Sequence, residues 1–184
     1  MNPIAVIALI AGAAVLYSVT RTVKAAVNLT WNVTRFGIYH LASGGSLVLR
    51  MRLRIGNPTN TPITVNFIDV SAYLDPVYTT DTTGTLNVQS RGTYIASLTE
   101  SLAIVIQPNA VTEHDFYIEV RWADIAKYLA MNVTDIISAI SNAQGINSII
   151  NSIVNHPVLL QGNIKAENVN FPINQVVSFT DDRG

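Results

Sequence analysis

The sequence predicts a mainly β protein, an antiparallel β-sandwich with short helices, preceded by one N-terminal helix that spans a membrane. Three observations support this: an unbroken apolar run near the N-terminus, a two-residue alternation of apolar and polar residues beyond it, and a charged fraction of only 12%. Soluble domains usually contain about 25% charged residues. Part of the surface is therefore expected to lie against lipid or other protein.

The apolar run extends from Pro3 to Val19 and contains no charged residue. As a helix it would be about 25 Å long, at the short end of what crosses a hydrocarbon core of about 30 Å. Tyr17 occupies the place of an interfacial aromatic residue, and the cations Arg21 and Lys24 follow it. Residues 1–25 are thus predicted to be a membrane anchor with a basic flank. The predicted lipid-facing residues are Pro3, Ile4, Val6, Ile7, Leu9, Ile10, Val15, Leu16 and Tyr17.

Two alternatives remain for this run. A helix buried in a protein assembly, or lying in the membrane interface, would have a similar composition. A cleaved signal peptide normally opens with cations, and this chain opens Met-Asn-Pro without any. Because the cations follow the run, the positive-inside rule places the domain of a single-pass cellular protein in the cytoplasm. The alternative location is the internal membrane or capsid region of a virion.

From Ala26 onward the apolar residues recur with the period of a half-buried strand. Val27, Leu29, Trp31 and Val33 predict a first strand, followed by a turn at residues 42–45. The clearest strand is Ser46–Ile55. Its core-facing residues are predicted to be Leu47, Leu49, Met51, Leu53 and Ile55, and its opposite face carries Val48, Arg50, Arg52 and Arg54. The proline of Gly56-Asn-Pro58 should end this strand, because proline cannot donate to a ladder.

The remaining sequence predicts further short strands and one helical stretch. Ile63–Leu74 is predicted to be a strand with a β-bulge between Val65 and Ile68, and residues 75–90 a loop or weak hairpin. The other predicted strands are 93–98, 101–106, 114–122, 158–161, 163–168 and 173–179, with a turn at 107–110. Helical spacing appears between Ala123 and Val154, with Asn132 as a cap, a break at Gly145 and an end at Pro157. Residues 26–179 thus form one sandwich domain, and 180–184 a polar tail in which Asp181 and Asp182 are a solvated charge pair.

Several of these segments carry a resemblance to a known family. Residues 49–58 (LRMRLRIGNP), 62–65 (PITV) and 68–75 (IDVSAYLD) resemble the late-embryogenesis-abundant type 2 family, also called the WHy (water stress and hypersensitive response) domain. The similarity continues through Ile95-Ala-Ser97, Pro108-Asn-Ala110, Phe116–Val120, Leu160–Ile164 and Phe171-Pro-Ile173. It implies an antiparallel sandwich of Greek-key-like topology and a non-enzymatic module, often tethered to a membrane. The Thr-rich segment 79–93 and the Ile-rich segment 131–155 depart from the family pattern.

The residues provide little chemistry for catalysis. There are no cysteines, and His40, His114 and His156 lack a second ligand at metal-binding spacing. No nucleophile elbow, HExxH motif or phosphate-binding glycine loop is present. The sequence therefore predicts a protein without enzymatic activity, cofactor or metal.

Charge is distributed unevenly along the chain. Residues 1–68 contain six cations and no acid, whereas residues 69–184 contain five cations and twelve acids. The basic half suggests anion or lipid-headgroup contacts at Arg21, Lys24, Arg50, Arg52 and Arg54. The alternative, which we favour for the strand arginines, is cross-strand pairing with carboxylates such as Asp115 and Glu119. No specific nucleic-acid recognition is expected.

Two functions fit these observations. The first is a membrane-anchored structural or assembly protein whose sandwich binds neighbouring subunits in an oligomeric assembly, for example a minor virion component of a membrane-containing phage. The second is a cellular stress-associated module that binds lipid or client proteins beside a membrane. A carrier of a small apolar ligand has the least support.

Overall fold

The structure is a computed structural model that describes residues 22–42, 46–130, 132, 135, 138–139 and 143–183. The predicted anchor residues and Arg21 lie outside the described residues, as do the turn at 43–45 and most of the segment 131–142. Within the described ranges, no helix has both the length and the apolar character needed to cross a bilayer.

The described chain is mainly β, as predicted. A short helix, α1 (22–26), precedes the first strand. The strands are β1 (Thr30–Ala42), β2 (Ser46–Asn57), β3 (Ile63–Leu74), β4 (Val77–Thr80), β5 (Leu86–Ser90), β6 (Thr93–Ile106), β7 (Ala110–Arg121), β8 (Pro157–Ala166) and β9 (Val169–Asp181). Helices α2 (Trp122–Tyr128) and α3 (Ala143–Asn151) lie between β7 and β8.

Seven of these strands form one sheet in the order β6-β3-β8-β9-β1-β2-β7, and β4 and β5 form a separate hairpin. The sheet curls into a nearly closed barrel-like layer around the core. Its two halves meet where β1 and β9 run parallel, with Phe36 opposite Phe179 and Ile38 opposite Asp181. The Gln175 side chain extends this junction, because its amide accepts from the Val33 N–H at 2.9 Å and donates to the Val33 carbonyl at 2.8 Å. The predicted sandwich is thus a continuous, mixed sheet rather than two separate antiparallel ones.

Strand β2 lies between β1 and β7, and this position explains its clear sequence pattern. The five apolar residues predicted to face the core are all buried, with Leu53 at 0% exposure. The strand ends at Asn57, before Pro58, as expected. In β3 the predicted bulge is also confirmed, because the register with both neighbouring strands shifts between Val65 and Phe67. Residues 75–90 contain the predicted weak hairpin.

The predicted start of the first strand was wrong. Residues 22–26 are helical, and β1 begins only at Thr30. Ala25 and Ala26 are buried against the core, whereas Val27, predicted to face the core, is 62% exposed. The α1 backbone turns the small alanines inward, and methyl-sized side chains allow it to approach the sheet closely.

Three other predicted boundaries also differ. The two strands predicted at 93–98 and 101–106 are the single strand β6, because the polar residues between them face solvent at the sheet edge. Similarly, β8 runs without a break through Gly162. Gly145 does not end a helix but lies inside α3. A Cβ atom at Gly145 would come within 2.2 Å of the Ala139 carbonyl oxygen, so close packing accounts for this glycine.

Candidate functional site

The outer face of β1, β2 and β7 carries a dense group of charged side chains, and we call it the charged face. Cross-strand registers arrange it in rows: Asn32, Arg54 and Glu113; Arg35, Arg52 and Asp115; Gly37, Arg50 and Tyr117. Each strand arginine therefore has a neighbour on β7, and two of these neighbours are carboxylates. This is the arrangement in which opposite charges stabilise a sheet.

Arg52 and Asp115 form a two-pronged ion pair. Arg52 Nε and one terminal nitrogen donate to the two Asp115 carboxylate oxygens at 2.6 and 2.7 Å. The hydrogen bond from Arg52 lowers the pKa of Asp115, and the hydrogen bond to Asp115 raises the pKa of Arg52. Glu113 lies farther away, with 3.9 Å between its carboxylate and Arg52. For the arginine ladder, which is Arg50, Arg52 and Arg54 on β2, the predicted pairing with Asp115 is thus confirmed at Arg52.

Arg50 is not the exposed residue that the strand pattern predicts. Its side chain is only 14% exposed, and one terminal nitrogen lies 3.0 Å from Asp182 Oδ2. The guanidinium also lies over the Tyr39 ring, 5.3 Å from its centroid. Arg50 Nε and Asp182 Oδ2 are both buried without a hydrogen bond. The two opposite charges are therefore close together, but their polar atoms are not aligned for hydrogen bonding. An ion pair that is taken out of water in this way is costly to break by removing one partner.

The prediction of a solvated pair at Asp181 and Asp182 was wrong for Asp182. Its side chain is 7% exposed and also lies 3.7 Å from Arg35 Nε. The Asp182 N–H donates to the Ile38 carbonyl at 2.8 Å, which continues the parallel pairing of β9 with β1. Arg183 pairs with Asp181 at 2.8 Å and holds its pKa below the ordinary value. Asp182 is therefore part of the charged face, whereas Arg183 bonds Asp181 and Asn147 on α3.

Two predicted headgroup contacts remain available to solvent in the described chain. Arg54 is exposed and forms no ion pair within 4.0 Å among the described residues, and Lys24 is exposed on α1. Arg21 lies outside the described residues. The prediction that Glu119 pairs with the ladder was wrong, because its carboxylate accepts a hydrogen bond from the Ser46 hydroxyl instead. Of the three ladder arginines, Arg54 is thus the one left open to an external anion.

A second polar cluster joins three distant segments at the end of the domain that carries the helices. His156 Nδ1 lies 2.9 Å from Asp75 Oδ1, and the Tyr128 hydroxyl donates to Asp75 Oδ2 at 2.5 Å. Partial burial raises the pKa of Asp75, but these two hydrogen bonds outweigh it and leave the pKa below its ordinary value. Burial, followed by the bond to Asp75, raises the pKa of Tyr128. The cluster ties α2 to the start of β8, and no local pattern in the sequence indicates it.

The Asn-Pro motif after β2 has a structural role. Asn57 is 1% exposed, and its amide donates to the carbonyls of Thr61, Ile106 and Gln107 at 2.8, 3.1 and 3.2 Å. Its side-chain oxygen accepts from the Thr59 N–H and hydroxyl at 3.0 and 2.7 Å. One buried amide thus holds together the end of β2, the following loop and the β6–β7 turn.

The outer face of the other four strands, called the polar face below, differs from the charged face. The registers place three rows of exposed or half-buried residues there: Ser101, Phe67, Lys165 and Asn170; Thr99, Asp69, Asn163 and Pro172; Ser97, Ser71, Gln161 and Asn174. Among these twelve residues, only Asp69 and Lys165 are charged. Two shallow grooves of about 570 and 370 Å³ cross this face and share Asp69 and Asn163 in their linings. No local sequence pattern indicates this face, because its residues come from four separate strands.

Within the described part of the chain, no three His, Cys, Asp or Glu side chains come together as a metal site. No protein-family profile matches the sequence, and no curated protein matches it.

Solved structures resemble the chain at low identity. A protein from Archaeoglobus fulgidus is 9% identical, with 82% of this chain and 91% of that chain covered and a TM-score of 0.45. A solution structure described as a late embryogenesis abundant protein is 11% identical, with 92% and 86% covered and a TM-score of 0.37. A sporulation control protein from Bacillus subtilis is 8% identical, with 83% and 49% covered and a TM-score of 0.35. These similarities are too weak to assign a family or an activity.

Proposed function

We propose that the chain is a non-enzymatic, membrane-anchored structural or assembly protein whose β domain binds neighbouring protein subunits. A minor component of a membrane-containing virion is one concrete form of this function. The domain itself is proposed to belong with the late-embryogenesis-abundant type 2, or WHy, proteins, on the strength of the sequence motifs quoted above.

The observation that carries the proposal is the way in which the apolar N-terminal run joins the domain. Residues 3–19 are uncharged, and α1 follows only two residues later. Ala25 and Ala26 are buried against the core, at 7% and 0% exposure. Because α1 is packed on the sheet, whatever holds the apolar run also restrains the position of the β domain. A domain that must stay in register with an assembly needs this kind of connection.

The ion pairs of the charged face support the proposal that the protein is anchored by apolar rather than ionic contacts. Arg50 and Arg52 are already paired with Asp182 and Asp115, so their charges are largely neutralised within the domain. Headgroup attraction is then left to Arg54 and to the basic flank of the apolar run, Arg21 and Lys24. Each cation near an anionic membrane surface contributes about 1 kcal/mol, which is too little to hold a protein there stably without the apolar segment.

The composition of the polar face supports the proposal that the domain binds other subunits. Protein interfaces are depleted of charge in their centres, and ten of the twelve side chains on this face are uncharged. The alternative function, a cellular stress-associated module, would require the same anchor but no fixed partner.

Purification from the native source separates the two functions. The proposal predicts recovery of the chain at a fixed stoichiometry within a particle or complex that survives gradient centrifugation. Recovery from cellular membranes alone, without a stoichiometric partner, would support the stress-associated module instead.

A further inference from the structure

We propose that the polar face binds the polar face of a second copy of the same chain, related by a two-fold axis. The inference deepens the proposed function and rests on it, because it names one of the neighbouring subunits as another copy of this protein. It is carried by the position and sign of the two charges within the three rows, Asp69 and Lys165. Arg91, outside these rows, lines the smaller groove at the border of the face.

Asp69 and Lys165 lie on β3 and β8, the two central strands of this four-stranded half of the sheet. Asp69 is opposite Asn163 and Lys165 is opposite Phe67, so the two charges sit one row apart on a diagonal. Diagonal neighbours of this kind are about 7–8 Å apart in a sheet. Both side chains are exposed, and no ion pair joins them among the described residues.

This diagonal is self-complementary. Consider two such faces related by a two-fold axis that lies in the plane of the interface. If the axis passes midway between Asp69 and Lys165, perpendicular to the line that joins them, Asp69 of each copy faces Lys165 of the other. Symmetric dimers require this property, namely that residue i contacts residue j while j contacts i. The axis then passes through the middle of the face, where it brings the two Asn163 side chains together. The two charges beside the axis are then buried as ion pairs, and the serine, threonine and amide side chains farther out can exchange hydrogen bonds.

The expected interface is small. Four strands about 4.8 Å apart and three rows about 6.7 Å apart give about 400 Å² for each copy. Stable interfaces bury about 800 Å² for each partner, so free copies of the domain should associate weakly. Anchoring in a common membrane raises the effective concentration and compensates for a small interface. Dimers are therefore expected on membranes, and mainly monomers in dilute solution.

Disulfide cross-linking tests the two-fold arrangement, since the chain has no cysteine of its own. Asn163→Cys in the full chain, reconstituted in lipid vesicles, should form disulfide-linked dimers rapidly. Asn32→Cys is the matched control, an exposed asparagine on the charged face. Equal cross-linking rates for the two variants would overturn the proposal.

Charge reversal then tests the pairing itself in the Asn163→Cys background. Asp69→Lys and Lys165→Asp should each slow cross-linking by about tenfold or more, because each places two like-charge pairs in the dimer. The double variant should restore the parental rate. Unchanged rates in the single variants, or no restoration in the double variant, would contradict the pairing. Thermal melting of each variant checks that the fold is intact.

The same vesicles separate this inference from the proposed function. Failure of the chain to float with the vesicles counts against anchoring, and the cross-linking rates are then compared in concentrated solution. Vesicle-bound protein that does not cross-link at position 163 counts against the dimer alone.

Discussion

Individual polar residues define this domain as much as its apolar core does. Asn57 is the clearest case, because it satisfies three backbone carbonyls and two donors in a position almost without solvent. Arg50 and Asp182 are another, a mostly buried pair that links the middle of β2 to the end of β9. In both cases a side chain links segments that backbone hydrogen bonds between neighbouring strands do not connect.

Asn57→Asp should destabilise the domain by about 3 kcal/mol or more, because a carboxylate cannot donate to the three carbonyls and would be buried as a charge. Chemical denaturation measures this cost. Asn60→Asp is the control, since Asn60 is exposed and accepts through its side-chain oxygen from Asn109, a role that a carboxylate retains. A loss of less than 1 kcal/mol for Asn57→Asp would show that the amide donors do not matter.

Leu53→Ala should cost about 2–5 kcal/mol through lost burial and a cavity, whereas Arg52→Ala at the adjacent position should cost well under half of that. The two residues point to opposite sides of β2: Leu53 is fully buried, and Arg52 is about one-third exposed. Urea unfolding of both variants measures the difference. Equal costs would mean that Arg52 supports the core.

Acid should weaken the domain through its paired carboxylates. The pKa of Asp115 is lowered by the hydrogen bond from Arg52, so its stabilising contribution is complete above the unfolded pKa, about 4. The contribution disappears as the pH falls through the lowered pKa of the folded state. Arg52→Ala should therefore show a shallower loss of stability between neutral and acidic pH than the parent protein, as measured by thermal melting. Identical pH profiles would exclude this linkage.

At the scale of elements, the sequence predicted those strands whose pattern reflects a simple environment. Strand β2, covered on both edges and buried on one face, shows an uninterrupted alternation from Leu47 to Ile55. For β6 the sequence predicts two strands and the structure has one, because this edge strand tolerates polar residues in its middle. The sequence predicts a helix break at Gly145, but this glycine is explained by a tertiary contact, the close approach of Ala139. The pairing of Arg50 with Asp182 could not be predicted, since it depends on the parallel junction of β9 with β1.

Strand β8 is predicted to depend on the absence of a side chain at Gly162. A Cβ atom there would lie 1.9 Å from the Asp69 carbonyl oxygen on β3, so Gly162→Ala must push two central strands apart. We expect a loss of about 1–3 kcal/mol, as for other overpacked sites. Asn163→Ala, at an exposed position on the same strand, should change stability by less than about 0.5 kcal/mol. Comparable melting temperatures for the two variants would contradict the close-approach argument.

For the whole molecule, folding largely resolves the charge imbalance of the sequence. Arg35, Arg50 and Arg52 belong to the basic first part of the chain, and their partners Asp182 and Asp115 belong to the acidic remainder. The domain therefore does not present the ladder as a uniformly basic surface. What remains distinctive is the contrast between a charged face that is satisfied internally and a polar face that carries little charge.

We propose that the apolar N-terminal run, and not the arginines, holds this protein on lipid. Alkaline carbonate extraction after a high-salt wash tests it on membranes or particles that contain the full chain. We expect the protein to stay in the lipid fraction through both treatments, because an apolar anchor is insensitive to ionic strength and to pH. Release of the intact chain by carbonate would contradict the anchor, and release by salt alone would assign membrane binding to the exposed cations.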